Sequence, residues 1–380
     1  MHNKINDLFK ELIMYKKALA FTLFIFCFYI FVFSANAQGI NAKGAVLLEA
    51  QSGDVIYGCN KDLRLPMAST TKIMTALVVL ENTELDHIVT IEPHMTGIEG
   101  SSIYLHEGEK LSVSDLLYAL MLESANDAAV ALAHHVCGGT GAFAQKMNDK
   151  ANELGLKNTH FTNPHGLDDP EHYTTAYELA LIARAAMENP VFREIVSTYK
   201  KQIPLNNGEG ARVLINHNRL LRTYEGAIGI KTGYTKKCGR CLVSCAERDG
   251  VTLICVTLNA PNDWSDHASL FDRGFNEYKS INLARVGDYS VKLNAVNGEK
   301  STFIAENNQD LKVTLKADNI NISAVLEAER MYFAPIKKGE RVGKIVFYNN
   351  EEKIGELALF AKENVKNIIY KKSIFERLFG

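Results

Sequence analysis

The sequence predicts an α+β fold: an antiparallel sheet covered by helices, followed by a small β-rich C-terminal domain. Three observations carry that expectation. Strand-like runs stand at both ends of the segment up to Ile281, helix-spaced apolar residues fill its middle, and short β-like runs return beyond Asn282. Strands that open and close a helical stretch have each other as partners, so both ends of the segment should join one sheet.

In order, Ala45 to Ala50 and Val55 to Tyr57 flank Gln51-Ser52-Gly53-Asp54, a hairpin with a Gly-containing turn. From Pro66 the pattern turns helical, with Ile73, Ala76, Leu77 and Leu80 on one face and Ser69 near the helix start. Leu111 to His135 reads as helix interrupted at Ser124 to Asn126, with His134-His135 at its end. Further helices are expected over Gly141 to Leu154 and Ala176 to Met187. Ile228 to Thr232 is a short strand expected to end near Lys231. Cys241 to Ala246 and Thr252 to Leu258 bracket Arg248-Asp249-Gly250, a strong hairpin signal. Ser290 to Leu293, Leu311 to Leu315 and Lys344 to Tyr348 are the β-like runs of a second domain, expected over 282–363 after a first domain over 38–281.

The two chain ends read differently. Lys4, Lys10, Lys16 and Lys17 precede an apolar run from Ala18 to Phe33, and Ala35-Asn36-Ala37 offers small residues for cleavage, so 1–37 is expected to be a signal peptide and the protein exported. An uncleaved anchor helix fits less well, because a bilayer span needs roughly 20 apolar residues. Cleavage removes four lysines against Asp7 and Glu11 and moves the formal charge from -2 to about -4, which argues against a nucleic-acid partner. At the other end, 364–380 mixes Ile368, Ile369, Phe375, Leu378 and Phe379 with Lys366, Lys371, Lys372 and Arg377. That pattern fits a basic amphipathic helix in peripheral membrane contact, and equally a domain-capping helix.

Hydrophobic content of 47% is ample for a core. Six cysteines remain after cleavage, an even number that permits disulfides without revealing their pairing. Cys238-Gly-Arg-Cys241 lacks the second CxxC or histidine pair of a metal site.

Chemistry enters with three motifs in one order: Ser69-Thr70-Thr71-Lys72, Ser124-Ala125-Asn126 and Lys231-Thr232-Gly233. A serine hydroxyl needs a base, and Lys72, three positions on, lies one helical turn away on the same face. Lys72 serves as base only when neutral, which desolvation and a positive neighbour such as Lys231 both favour. The first two motifs are weak alone, since Ser197-Thr198-Tyr199-Lys200 repeats the first pattern and Ser280-Ile281-Asn282 the second, whereas Lys-Thr-Gly occurs once. Order, gaps of about 55 and 105 residues, and context carry the weight.

With these residues in view, the chain resembles the serine-type D-alanyl-D-alanine carboxypeptidases, the low-molecular-mass penicillin-binding proteins. Pro66 to Thr75, Asn163-Pro164-His165-Gly166-Leu167 and Lys231-Thr232-Gly233-Tyr234-Thr235 extend the likeness across the mature chain. The resemblance implies the penicillin-binding and β-lactamase-like fold and hydrolysis of the terminal D-Ala-D-Ala bond of peptidoglycan stem peptides. Ser69 is then the nucleophile, Lys72 the base and Ser124 the proton relay. Asn126 holds the substrate amide, Lys231 and Thr232 face its carboxylate, and the Ser69 and Tyr234 amides hold the oxyanion. No cofactor or metal is implied, and β-lactams become covalent inhibitors.

One departure stands out. Several relatives place an arginine after the third motif to bind the terminal carboxylate, whereas Ala260 to His267 holds none; carboxylate recognition then rests on Lys231 and Thr232, with or without Arg240, to which no role is assigned, or substrate preference has changed. Simpler readings exist: Ser124 and Asn126 as helix caps, His165 as a turn residue, Trp264 as packing. Rival functions are a β-lactamase, an endopeptidase and a non-catalytic wall-binding protein. The first is disfavoured because Glu171, Glu178 and Glu188 all lack a Glu-x-x-x-Asn context.

Overall fold

Asp249 and Gly250 sit at φ 49° and 80°, the backbone a two-residue hairpin turn requires, and the hairpin they close lies inside the main sheet. The computed structural model describes residues 39–205, 209–318 and 320–368, and every strand and helix named below belongs to the unit that begins at Ala42.

Strands β1 (Gly44–Glu49) and β2 (Val55–Cys59) form the first hairpin. A 3-10 turn, Ala68–Thr71, runs into α1 (Lys72–Asn82). The small ladder of β3 (Ile88–Thr90) and β4 (Lys110–Ser112) leads to α2 (Val113–Leu122), α3 (Asn126–Cys137) and α4 (Thr140–Glu153). Helices α5 (Ala176–Met187) and α6 (Pro190–Ser197) precede the hairpin of β5 (Lys200–Leu205) and β6 (Gly210–Ile215). Then come α7 (Leu220–Thr223), β7 (Ala227–Thr235), β8 (Gly239–Arg248), β9 (Val251–Leu258) and α8 (Asp263–Glu277).

The main sheet runs β2-β1-β9-β8-β7 with antiparallel neighbours, so the strands that open and close this region do pair, β1 against β9. All six residues of β1 are buried. Because successive side chains point to opposite faces, both faces are covered; α5 and α8 both pack on β1 and β9. Helix α1 is buried continuously from Lys72 to Val79, as expected of a helix surrounded by others. Strand β7 lies at the sheet edge, against the Ala68–Thr71 turn. Lys231 stands mid-strand rather than at a strand end, because pairing with β8 continues through Thr235.

Beyond α8 follow β10 (Tyr278–Ala284), β11 (Ser290–Val296), β12 (Thr302–Glu306), β13 (Leu311–Lys316), β14 (Ile322–Ala328), β15 (Tyr332–Phe333), β16 (Arg341–Asn349) and β17 (Glu352–Ala361). β10 pairs with β13, and the others form a six-stranded sheet in the order β14-β16-β17-β12-β11-β15. A second core gathers Phe303, Ala305, Phe347, Leu359 and Val365. The residue pair 281/282 falls inside β10.

No helix starts at Val365. That residue is fully buried and bridged to Ile336, and Asn367 bridges Gly298, so extended pairing takes the backbone bonds a helix would use. The remainder of the tail and the leader 1–37 lie outside the described residues. No helix among the described residues is long and apolar enough to cross a membrane.

Candidate active site

The Ala68–Thr71 turn is tightened by its own side chains. Thr70 Oγ1 donates to Met67 O at 2.6 Å and Thr71 Oγ1 to Ala68 O at 2.8 Å, so the chain enters α1 in fixed geometry with Ser69 one turn ahead of Lys72. Lys72 is 0% exposed. Its Nζ lies 2.7 Å from Asn126 Oδ1, 2.7 Å from the carbonyl of His165 and 3.1 Å from Ser69 Oγ.

Two of those three neighbours are obligate acceptors. Asn126 Nδ2 donates to Glu99 O at 2.5 Å, which turns its Oδ1 toward Lys72, and a carbonyl such as His165 O only accepts. A neutral amine has two N–H groups and one lone pair, so these two acceptors leave the lone pair for the Ser69 hydroxyl. Burial, followed by the charge of Lys231, drives the Lys72 proton affinity well below its ordinary value, with Asp127 opposing.

The His165 carbonyl is aimed by a loop. Asn163 Oδ1 accepts from the amides of His165 and Gly166 at 3.2 and 2.7 Å, and Thr75 Oγ1 donates to Pro164 O at 2.6 Å. Gly166 holds φ 90°, and a Cβ there would stand 2.0 Å from Ala68 O, so only glycine lets this loop press against the turn that carries Ser69. His172 Nε2 lies 2.7 Å from Thr71 Oγ1, and burial lowers the rings of His165 and His172 to about 3 and about 4. Both imidazoles are therefore neutral near pH 7.

Ser124 occupies the break between α2 and α3 in the left-handed region, φ 61°, a costly conformation for a non-glycine residue that clusters at functional sites. Asp127 anchors the neighbouring loop, accepting from Ser102 Oγ at 2.6 Å and Leu105 N at 3.1 Å. On β7, Lys231 is 1% exposed and its Nζ donates to Thr232 O at 3.1 Å. Burial lowers it to about 7, with Glu123 opposing. At Gly233 a Cβ would lie 3.1 Å from Ser69 N and 3.2 Å from Met67 O, so glycine sits where the strand passes the nucleophile's amide.

A cleft of about 330 Å³ opens in front of these groups, lined by Ser69, Ser124, Thr232, Gly233 and Tyr234. Lys72, Asn126 and Lys231 stand buried behind it. The three motifs thus converge on one place. The decoys do not join them: Ser197 closes α6 with Oγ donating to Glu194 O at 3.0 Å, Lys200 opens β5, and Ser280 lies in β10.

The cleft also contains residues the motifs left out. Arg240, Trp264, Asp263 and His217 line it, and His217 Nε2 meets Glu123 Oε2 at 3.2 Å. The Asp127 anchor was unmarked by any sequence signal, and the likeness over Asn163 to Leu167 marked the segment without singling out the His165 carbonyl. The six described cysteines are thiols outside any disulfide, with burial pushing Cys238 up to about 11 and Cys241 to about 12.

Residues 31–262 match the D-alanyl-D-alanine carboxypeptidase family, and residues 278–367 match the C-terminal domain of penicillin-binding protein 5. The chain is 32% identical over 335 residues to the Bacillus subtilis D-alanyl-D-alanine carboxypeptidase DacF, covering 86% of each chain. It superimposes on penicillin-binding protein 5 from Haemophilus influenzae with a TM-score of 0.67 at 28% identity, covering 88% of this chain and 100% of that one. A Streptomyces K15 DD-transpeptidase matches with a TM-score of 0.60 at 36% identity, over 63% of this chain and 99% of that one.

Proposed function

The chain belongs to the D-alanyl-D-alanine carboxypeptidase family, and from that premise we propose that Ser69, Lys72 and Ser124 carry its serine acyl-enzyme reaction while Asn126, Lys231, Thr232, Gly233 and Tyr234 hold the substrate. The observation that best supports this reading is the setting of the Lys72 amine, which lies between two obligate acceptors with Ser69 Oγ as its third neighbour.

The substrate is a peptidoglycan stem peptide ending in D-Ala-D-Ala, aligned beside the edge strand β7. As Ser69 Oγ bonds to the carbonyl carbon between the two D-alanines, its proton passes to Lys72 Nζ. The negative charge that develops on the carbonyl oxygen is met by the amides of Ser69 and Tyr234. Cleavage of the C–N bond requires a proton on the departing nitrogen, relayed through Ser124 from the Lys72 ammonium. D-alanine leaves, and water then hydrolyses the ester and restores the Ser69 hydroxyl. Asn126 Nδ2 exchanges its bond to Glu99 O for the substrate amide, and Gly233 keeps the strand close enough for both amides to reach the oxyanion. Penicillin forms the same ester, but its ring-opened amine remains tethered.

The basic and apolar leader ending at Ala35-Asn36-Ala37 supports export to the wall side of the cytoplasmic membrane, and the basic residues of 364–380 support peripheral membrane contact. The reaction is tested by incubating the protein with a pentapeptide ending in D-Ala-D-Ala and measuring D-alanine. Release that disappears in Ser69→Ala is expected, with penicillin label mapping to Ser69 by mass spectrometry. Label at Ser197 would overturn the site, and cleavage of crosslinked muropeptides without D-alanine release would move the activity to endopeptidase.

A further inference from the structure

Acyl transfer from a D-Ala-D-Ala terminus sets a problem of charge. The substrate ends in a free carboxylate, and so does penicillin. A partly dry cleft must meet that charge with a hydrogen-bonding cation. Lys231 is a weak candidate by itself: it is buried, already donates to Thr232 O, and sits at about 7, so a share of its population is uncharged at neutral pH. Ala260 to His267, the segment after the third motif, contributes the anion Asp263 to the cleft rather than a cation.

Arg240 is the one guanidinium among the described residues lining the cleft. It lies on β8 directly opposite Tyr234 of β7, beside the strand segment against which the substrate is aligned. Its Nε donates to Asp263 Oδ2 at 3.0 Å, and its Cζ stands 5.7 Å from the centre of the Trp264 ring. Asp263 itself is buried and fixed, since its Oδ1 accepts from the Trp264 amide at 2.9 Å. One edge of the guanidinium is therefore clamped from below. The side chain remains 44% exposed, and the bond to Asp263 engages only its Nε.

Resting on that acyl-transfer reading, we infer that Arg240 is the carboxylate receptor of this cleft, with Asp263 and Trp264 as positioning residues that aim it. A guanidinium stays charged at every working pH and offers paired N–H donors that match the two oxygens of a carboxylate. Asp263 already offsets part of its charge, so selectivity comes from donor geometry more than from net field. An ester or amide terminus cannot accept both bonds and is rejected because it leaves a donor unmet. The cation thus reaches the substrate from the β8 side of the cleft instead of from the segment after β9.

The test compares rate constants for acylation of Ser69 by benzylpenicillin and by its methyl ester, read by intact mass, and uses their quotient as the measure of carboxylate preference. A charge-assisted pair of this kind contributes about 10- to 100-fold, so Arg240→Gln is expected to lower the quotient by about that factor. Arg240→Lys, which keeps charge but loses the fork, and Asp263→Asn, which releases the clamp, are expected to lower it several-fold. Melting curves by circular dichroism establish that each variant is folded, and if Arg240→Gln is not, Arg240→Lys carries the test. An unchanged quotient in the folded variants, with label still at Ser69, overturns the assignment of Arg240. Absence of Ser69 labelling in the unaltered chain instead overturns the acyl-transfer reading, and the role of Arg240 falls with it.

Discussion

The two sheets of this protein are stabilised by different means. The six-stranded C-terminal sheet rests on an ordinary apolar core of Phe303, Ala305, Phe347 and Leu359, and its region from β10 onward buries few polar side chains, Asn307 and Thr314 among them. The five-stranded sheet and its helices enclose two lysines, Lys72 and Lys231, together with Asn126 and Asp127. Burying an ammonium is costly, and the group escapes by losing its proton. Stability is given up around the five-stranded sheet to make a base, whereas nothing comparable is given up in the C-terminal sheet.

Substitutions separate the two. Lys72→Ala should produce the largest effect, lowering Ser69 acylation by about 10²- to 10⁴-fold, the usual range for a general base; stopped-flow labelling measures it, and a loss under tenfold would erase the contrast. Phe303→Ala should do the reverse, costing about 3–5 kcal/mol through the cavity it opens while acylation well below the melting temperature stays within about twofold. If it slows acylation strongly, the two regions are not energetically separate.

A smaller and pH-dependent effect is expected of Lys231→Met. The folded-state value near 7 lies below the ordinary 10.5, so between these limits the unfolded chain binds the extra proton and the stability of the unaltered protein rises with pH. Below 7 the buried ammonium costs its full penalty. The variant should therefore melt a few degrees higher at pH 6, with the gap narrowing toward pH 10. A gap that widens with pH would mean the lysine is held charged.

Much of the fold was legible because local chemistry and tertiary structure agree. Asp249-Gly250 reads as a tight turn and is one. Ala176 to Met187 reads as a helix with those very limits, and the interruption at Ser124 marks the join of α2 and α3. Where tertiary context decides, the pattern was silent. The acceptor that orients Lys72 is a main-chain carbonyl, and any residue at 165 could supply it. Gly166 matters only because Ala68 O lies against it. Arg240 reaches the cleft through the register that sets it opposite Tyr234, and spacing along the chain does not encode register. Val365 has the composition of an amphipathic helix start, yet pairing with Ile336 buries it in extended form.

The most direct test is the pH dependence of single-turnover acylation of Ser69 by benzylpenicillin, with the adduct counted by intact mass. With a buried, neutral Lys72 as base, the rate should climb and level off at a pH well below the ordinary lysine value of 10.5, and the climb should vanish in Lys72→Ala. A rate that continues to rise through pH 10, or a profile that survives that substitution, would contradict a buried amine as the source of the nucleophile's reactivity.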